Sequence, residues 1–240
     1  HATLLLAVLA SAVAFAESVD LATAVGARIP IIPSGAAVAG ACVSVGGDGP
    51  PLELVCLAAA IVIGIWTVAH GRPGPEVLRD AAASLFPILY IGIPLGALAA
   101  VRYIGGRDAT LLLIGTIVVS DSAQYYTGRA LGRHRLAPAI SPAKTVEGAI
   151  GGLVLGSAAM TYGGLALFKG VNPWLLLATS VMVVALGMVG DLFESLLKRS
   201  AGVKDSSTLI PGHGGVLDRI DSWLFAAPVF YVFVMYLQTS

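Results

Sequence analysis

The stretch Pro173–Leu197, PWLLLATSVMVVALGMVGDLFESLL, decides the fold. It is apolar for most of its length and then meets Asp191 and Glu194. A helix needs about 20 mostly apolar residues to cross a hydrocarbon core about 30 Å thick. This stretch has that length. Seven further apolar segments surround it: Ala2–Ala16, Ser34–Val45, Leu52–Ala69, Ala81–Val101, Ala109–Tyr126, Val146–Phe168 and Ser222–Leu237. The second is short enough to be tilted or re-entrant. The expected fold is therefore all-α, a polytopic transmembrane bundle of about eight membrane helices. Pro87, Pro94 and Pro228 are expected to kink their helices, and the small residues of Gly148–Ala159 to permit close helix contact.

Composition points the same way. Of 240 residues, 57% are hydrophobic and 12% charged, with 14 Lys+Arg against 14 Asp+Glu. That charge share is about half that of soluble domains. Disordered chains are poor in apolar residues, and nucleic-acid binders need a basic excess, so both classes are excluded. Cys42 and Cys56 make no metal-type spacing and read as small apolar residues. Alternating the loops puts 11 of the 14 basic residues on one side (Arg28, Arg72, Arg79, Arg129, Arg133, Arg135, Lys144, Lys198, Arg199, Lys204 and Arg219). Only Arg102, Arg107 and Lys169 fall on the other. The positive-inside rule makes the rich side cytoplasmic. The organisation expected is one integral-membrane domain, residues 1–110 giving N-terminal helices and 111–240 the helices and cytoplasmic loops that carry the chemistry.

The chemistry is concentrated in Gly190–Ser222, GDLFESLLKRSAGVKDSSTLIPGHGGVLDRIDS. Asp191, Glu194, Ser195 and Lys198 share one helix face. Ionisable groups in membrane segments are candidates for function. Asp218 and Asp221 fall on one face of the next helix if it starts near Val216. Carboxylates from two helix ends can converge on one divalent cation, and oxygen-only ligands favour Mg²⁺. Lys198, Arg199, Lys204 and Arg219 suit phosphate oxygens. The Pro211–Gly215 turn offers backbone N–H groups to a polyphosphate. Together these are the parts of phosphoryl-transfer chemistry. Each also has a plainer reading: an interhelical ion-pair ladder, an ordinary turn, or acids favoured by a helix dipole.

A second segment, Ser120–Gly148, reads SDSAQYYTGRALGRHRLAPAISPAKTVEG. Asp121 lies in an apolar helix and is expected to face inward. Arg129, Arg133 and Arg135 form a basic cluster that suits a lipid phosphate or a nucleotide, or else anchors the loop at the cytoplasmic surface. Ser141–Pro142 reads as a helix N-cap, which places Lys144 and Glu147 in the first turn of the next helix. Glu17 and Asp20 lie one turn apart near the end of the first apolar segment, with no role to assign.

These residues resemble the phosphatidate cytidylyltransferase (CDP-diacylglycerol synthase) family. The resemblance rests on Ser195, Lys198-Arg199, Lys204-Asp205, His213-Gly214-Gly215, Asp218-Arg219 and Asp221. Upstream it includes Asp121-Ser122, Gly128-Arg129, Gly132-Arg133, Ser141-Pro142, Lys144-Thr145, Glu147-Gly148, Gly190-Asp191 and Glu194. Tyr125-Tyr126 differs from the family's usual Ala-Tyr, which bears on packing more than on chemistry. Residues 1–110 are similar only in hydropathy. Family members carry further apolar sequence at this end, so His1 is expected to follow a missing stretch.

The resemblance implies that CTP and phosphatidic acid give CDP-diacylglycerol and pyrophosphate with Mg²⁺, and a second cation is plausible. Asp191 and Asp218 would bind the metal. Lys198, Arg199, Lys204 and Arg219 would neutralise phosphate charge. Asp205, His213 and Asp221 would orient groups around them, with Gly214 and Gly215 in the turn. Lys144, with Asp121 and Glu147, would complete the pocket, and Glu194 and Ser195 would add to it. The enzyme would sit in the inner membrane with its site on the cytoplasmic side, among membrane lipids, and the family and the small-residue helices suggest a homodimer. The alternatives are an ion- or proton-coupled transporter, a related CTP-dependent membrane lipid enzyme, and a noncatalytic scaffold.

Overall fold

The structure, a computed structural model, describes residues 2–47, 49–212 and 214–239. All eight apolar segments are helical. In chain order the helices are α1 (Ala2–Ala24), α2 (Ile31–Gly46), α3 (Leu52–His70), α4 (Glu76–Pro87), α5 (Ile93–Ile104), α6 (Gly106–Leu131), α7 (Val146–Leu167), α8 (Pro173–Ser200) and α9 (Leu217–Thr239). A π-helical turn, Ile88–Gly92, joins α4 to α5 directly after Pro87. Proline removes an N–H and crowds the preceding turn, so the regular ladder yields there as expected. Pro228 lies inside α9 without ending it.

Among the described residues, six segments are long and apolar enough to cross a membrane: α1, α3, the Glu76–Ile104 segment, α7, α8 and α9. That is two fewer than the eight expected. At 16 residues α2 is about 24 Å long, short of a bilayer core. The 26-residue α6 is long enough, but Arg107, Asp108, Asp121 and Arg129 interrupt its apolar run. Leu6, Ile32, Val68, Leu78 and Trp174 are all more than 60% exposed, an outer surface suited to lipid and not to water. The protein is an integral membrane protein.

The chain forms two compact units. One comprises residues 1–100 and 197–220, the other 101–196 and 221–240. In the first, α2 packs between α1 and the π turn. Its partners come close because they are small: a Cβ at Gly92 would stand 2.6 Å from the Val38 carbonyl, and one at Gly96 2.6 Å from that of Cys42. Cys42 is fully buried in this core.

In the second unit α6 and α7 lie along each other, with glycines every fourth residue of α7 on the seam. A Cβ would come within 2.7 Å of the Gln124 carbonyl at Gly148, 2.9 Å of the Ser120 carbonyl at Gly152, and 2.8 Å of Ser120 Cβ at Gly156. The small residues thus allow the close contact expected of them. Gly190 does the same where α8 meets α9, a Cβ there falling 2.6 Å from the Asp221 carbonyl.

One short sheet interrupts the helices. Strand β1 (Arg135–Ala137) pairs antiparallel with β2 (Ser141–Thr145). This corrects the expected N-cap at Ser141–Pro142. The cap of α7 is Thr145, whose Oγ1 accepts from the Gly148 N–H at 3.1 Å. Ser141 to Lys144 are spent on the strand, so Lys144 precedes the helix and only Glu147 lies in its first turn.

Candidate active site

The second unit contains an open cavity of about 730 Å³. Its floor and walls come from the α6 C-terminal turns, the hairpin, the start of α7 and Asp191 of α8. Its ionisable lining is Asp121, Asp191, Arg129, Arg133, Arg135 and Lys144. Four cations against two acids leave a net positive pocket. Lys144 Nζ donates to Asp191 Oδ2. Asp121 accepts from Gln124 Nε2 at 3.1 Å and feels the charges of both Asp191 and Lys144. Arg129 donates to the Tyr125 hydroxyl at 3.2 Å.

The hairpin holds the cations in place. Arg135 Nη1 donates to the Pro142 carbonyl at 2.7 Å. Glu147 Oε2 accepts the backbone N–H groups of Arg133 at 3.0 Å and His134 at 3.3 Å, and its Oε1 lies 2.6 Å from His134 Nδ1. Glu147 therefore fastens the loop that carries Arg133 and Arg135 instead of lining the cavity itself. The three arginines were visible in the sequence as a cluster. The fold gives them a place as cavity walls, and with them Gln124 and Tyr125.

The first unit contains a second lysine–carboxylate pair. Lys198 Nζ donates to Asp218 Oδ1, with only 11% and 5% of the two side chains exposed. Asp218 Oδ2 accepts from the Ser206 N–H and hydroxyl, each at 2.9 Å, and from the Gly215 N–H at 2.7 Å. Glu17, to which the sequence assigned no role, is buried beside this loop. It accepts from the Ser206 and Ser207 hydroxyls and from the N–H groups of Val216 and Leu217. Of the Pro211–Gly215 amides offered by the sequence to a polyphosphate, that of Gly215 is thus taken by Asp218, and those of Val216 and Leu217 just beyond the turn by Glu17. Gly214 has φ +78°, and a Cβ there would meet Asp218 Oδ2 at 2.5 Å. Glycine is required on both counts.

The remaining expected residues divide between the units. In the first, Lys204, Asp205 and Arg219 are exposed, and Arg199 donates to the Val203 carbonyl at 3.1 Å. In the second, Glu194 is fully buried, Ser195 is half-buried, and Asp221 accepts from the Ser222 N–H at 2.6 Å. His213 lies outside the described residues.

Oxygen ligands at Asp191 and Asp121 suit magnesium, which binds through one or two carboxylates together with substrate phosphates. An all-protein cage is a different matter. Among the described residues no three His, Cys, Asp or Glu side chains group closely enough to hold an ion. At Asp218 four donors already fill the carboxylate, so a cation there would have to displace Lys198.

Comparison with known proteins decides the family. The Cytidylyltransferase family matches residues 1–237. The chain belongs to that family. It is 38% identical over 156 residues to the phosphatidate cytidylyltransferase of Staphylococcus haemolyticus, covering 65% of this chain and 60% of the relative. To that of Helicobacter pylori strain 26695 it is 34% identical over 191 residues, 80% of this chain and 68% of the relative. The Staphylococcus aureus strain COL protein of the same name is 38% identical over 159 residues. The chain spans 60% of the length of the Staphylococcus relatives it matches. Family membership extends over α1 to α5, where the sequence was similar only in hydropathy, and it does not favour a transporter or a scaffold.

Proposed function

We propose that this protein transfers a cytidylyl group from CTP to phosphatidic acid, forming CDP-diacylglycerol and releasing pyrophosphate. The observation that carries the proposal is the cavity lined by Arg129, Arg133, Arg135 and Lys144 among membrane helices. A triphosphate needs several cations to enter a partly dry site, and guanidinium forks match phosphate oxygens. A phosphatidate oxygen attacks the α-phosphorus of CTP, and the bond from that phosphorus to the pyrophosphate oxygen breaks. The lipid phosphate is largely ionised near neutral pH, so positioning and charge neutralisation carry the reaction and no strong base is needed. Lys144 is placed to exchange Asp191 for a phosphate oxygen. The cations spread the charge of the leaving pyrophosphate.

Asp191 and Asp218 are the proposed magnesium carboxylates, Asp218 only once a cation takes the place of Lys198, with Asp121 beside Asp191, and a second cation fits the number of acids. Magnesium would shield triphosphate charge. Lys198 and Arg199 at the end of α8, Lys204 and Asp205 in the loop after it and Arg219 in the first turn of α9 would serve the nucleotide. The excess of basic residues on one side supports an inner-membrane enzyme with its site facing the cytoplasm. We further propose a homodimer, which light scattering of the solubilised protein would check.

The decisive experiment supplies purified protein with radiolabelled CTP, phosphatidate and Mg²⁺ and looks for labelled liponucleotide. Wild-type protein should form it. Asp191→Ala and Asp218→Ala should each lose roughly 10²–10³-fold in turnover, the scale of removing one preorganised electrostatic contact. Full turnover in both variants would sink the assignment of these acids, and no liponucleotide from the wild type would sink the reaction.

A further inference from the structure

We propose that Glu17 is a positioning residue, an acid supplied by α1 that sets the geometry of the Lys198–Asp218 pair. Its catalytic consequence rests on the function proposed above; the clamp itself does not. Glu17 is 4% exposed, and a carboxylate so enclosed needs compensation. Compensation comes in a regular pattern. Oε1 accepts from the Ser207 hydroxyl at 2.7 Å and the Val216 N–H at 2.9 Å. Oε2 accepts from the Ser206 hydroxyl at 2.9 Å and the Leu217 N–H at 2.7 Å. Each oxygen thus takes one donor from each end of the same loop.

The consequence is a closed ring. Residues 206–207 and 216–217 are drawn to one point, and both backbone donors of Asp218, the amides of Ser206 and Gly215, lie within the segment so closed. Leu217 opens α9, so its N–H and that of Val216 have no acceptor within the helix. A negative charge at that end is also favoured by the helix dipole. Ser206 joins the two acids directly, its oxygen standing 2.9 Å from Glu17 Oε2 and 2.9 Å from Asp218 Oδ2. One hydroxyl proton serves one acceptor at a time, so the two carboxylates share Ser206 and the position of one affects the other. Gly215 makes the approach feasible: a Cβ there would lie 2.1 Å from Ser206 Oγ and 2.4 Å from Glu17 Oε1. Glu17 acts through Asp218.

The test uses the full chain, solubilised, with Glu17→Gln, Ser206→Ala, the double variant, and Asp20→Asn as a control on the exposed side of the same helix. Glutamine keeps the shape but places an NH₂ where one pair of donors needs an acceptor. Amide hydrogen exchange read by mass spectrometry should speed up at least ~10-fold across residues 206–218 in Glu17→Gln, with α2–α7 unchanged. In the radiolabel assay Glu17→Gln and Ser206→Ala should each lower kcat/KM about 10-fold, and the double variant should fall less than ~3-fold further, because partners in one network are not additive. Asp20→Asn should behave as wild type in both measurements. Unchanged exchange at 206–218, or losses that multiply in the double variant, would overturn the proposal. Faster exchange confined to that loop in Glu17→Gln, together with a wild-type protein that makes no liponucleotide, would uphold the clamp and refute the reaction instead.

Discussion

The two lysine–carboxylate pairs have the same chemistry and opposite settings. Lys198 and Asp218 are enclosed, and Asp218 also accepts from the Ser206 amide and hydroxyl and the Gly215 amide of the loop before it. Lys144 and Asp191 keep 23% and 28% of their side chains exposed and open on a cavity with three arginines. A pair in the first setting specifies a local structure. One in the second can trade its partner for a ligand at little cost. On the function proposed above, what separates the two is the surplus of cations around Asp191 and not the carboxylate itself.

The sharpest way to break that contrast is to remove the lysine from each pair. Lys198→Met leaves a buried Asp218 without its cation and should destabilise the first unit by about 3–5 kcal/mol. Lys144→Met leaves an acid that water can reach and should cost about 0–1 kcal/mol. Thermal unfolding in detergent, followed by circular dichroism, compares them directly. Equal shifts in the two variants would show that enclosure does not distinguish the pairs. On the proposed function Lys144→Met would lose a phosphate contact, so it should raise KM for CTP while leaving the fold intact.

The arginines sharpen the other half of the comparison. Arg129→Gln, Arg133→Gln and Arg135→Gln should each raise KM for CTP by roughly 10- to 100-fold, a charge-assisted hydrogen bond to phosphate being worth about 1.5–3 kcal/mol. The loss should be greatest at low ionic strength and shrink with added salt, because exposed charges are screened over about 10 Å at 0.1 M. KM that ignores both salt and substitution would mean that the three serve only as surface anchors.

What the sequence showed follows from how each signal arises. Membrane helices are legible because apolar length is a local property, and all eight segments are helical. The π turn after Pro87 was legible as a kink, though not in kind. Asp191, Asp218 and Lys198 stood out because charge in an apolar setting is conspicuous. Glu17 was invisible because its partners, Ser206, Ser207, Val216 and Leu217, are 189 to 200 residues away and are serines and backbone amides, which carry no pattern. The hairpin was missed for a different reason. Ser-Pro is a good helix start by local rules, and only the pairing of Ser141–Thr145 with Arg135–Ala137 decides against it. Membership in the family was legible from the second half alone, although the match extends across both.

The smallest effect tests how the cavity side is held. Thr145 ends β2 and caps α7, its Oγ1 meeting the Gly148 N–H at 3.1 Å. An N-cap hydroxyl contributes about 1 kcal/mol, so Thr145→Ala should lower stability by that amount and Thr145→Ser by only a few tenths. The consequence for the cavity should be of the same order. Lys144 precedes the cap and Gly148 lines the cavity, so fraying the first turn of α7 loosens two walls at once. KM for CTP should rise a few-fold in Thr145→Ala and recover in Thr145→Ser, with kcat changed less. The loop after α8 offers the contrasting case. Several charged hydrogen bonds converge on it, and the Ser206 hydroxyl there meets two carboxylates where Thr145 meets one amide. If Thr145→Ala damaged activity as severely as Glu17→Gln, the cavity side would prove as rigidly specified as the enclosed pair, and the ease of exchanging Asp191 for a phosphate would need another source.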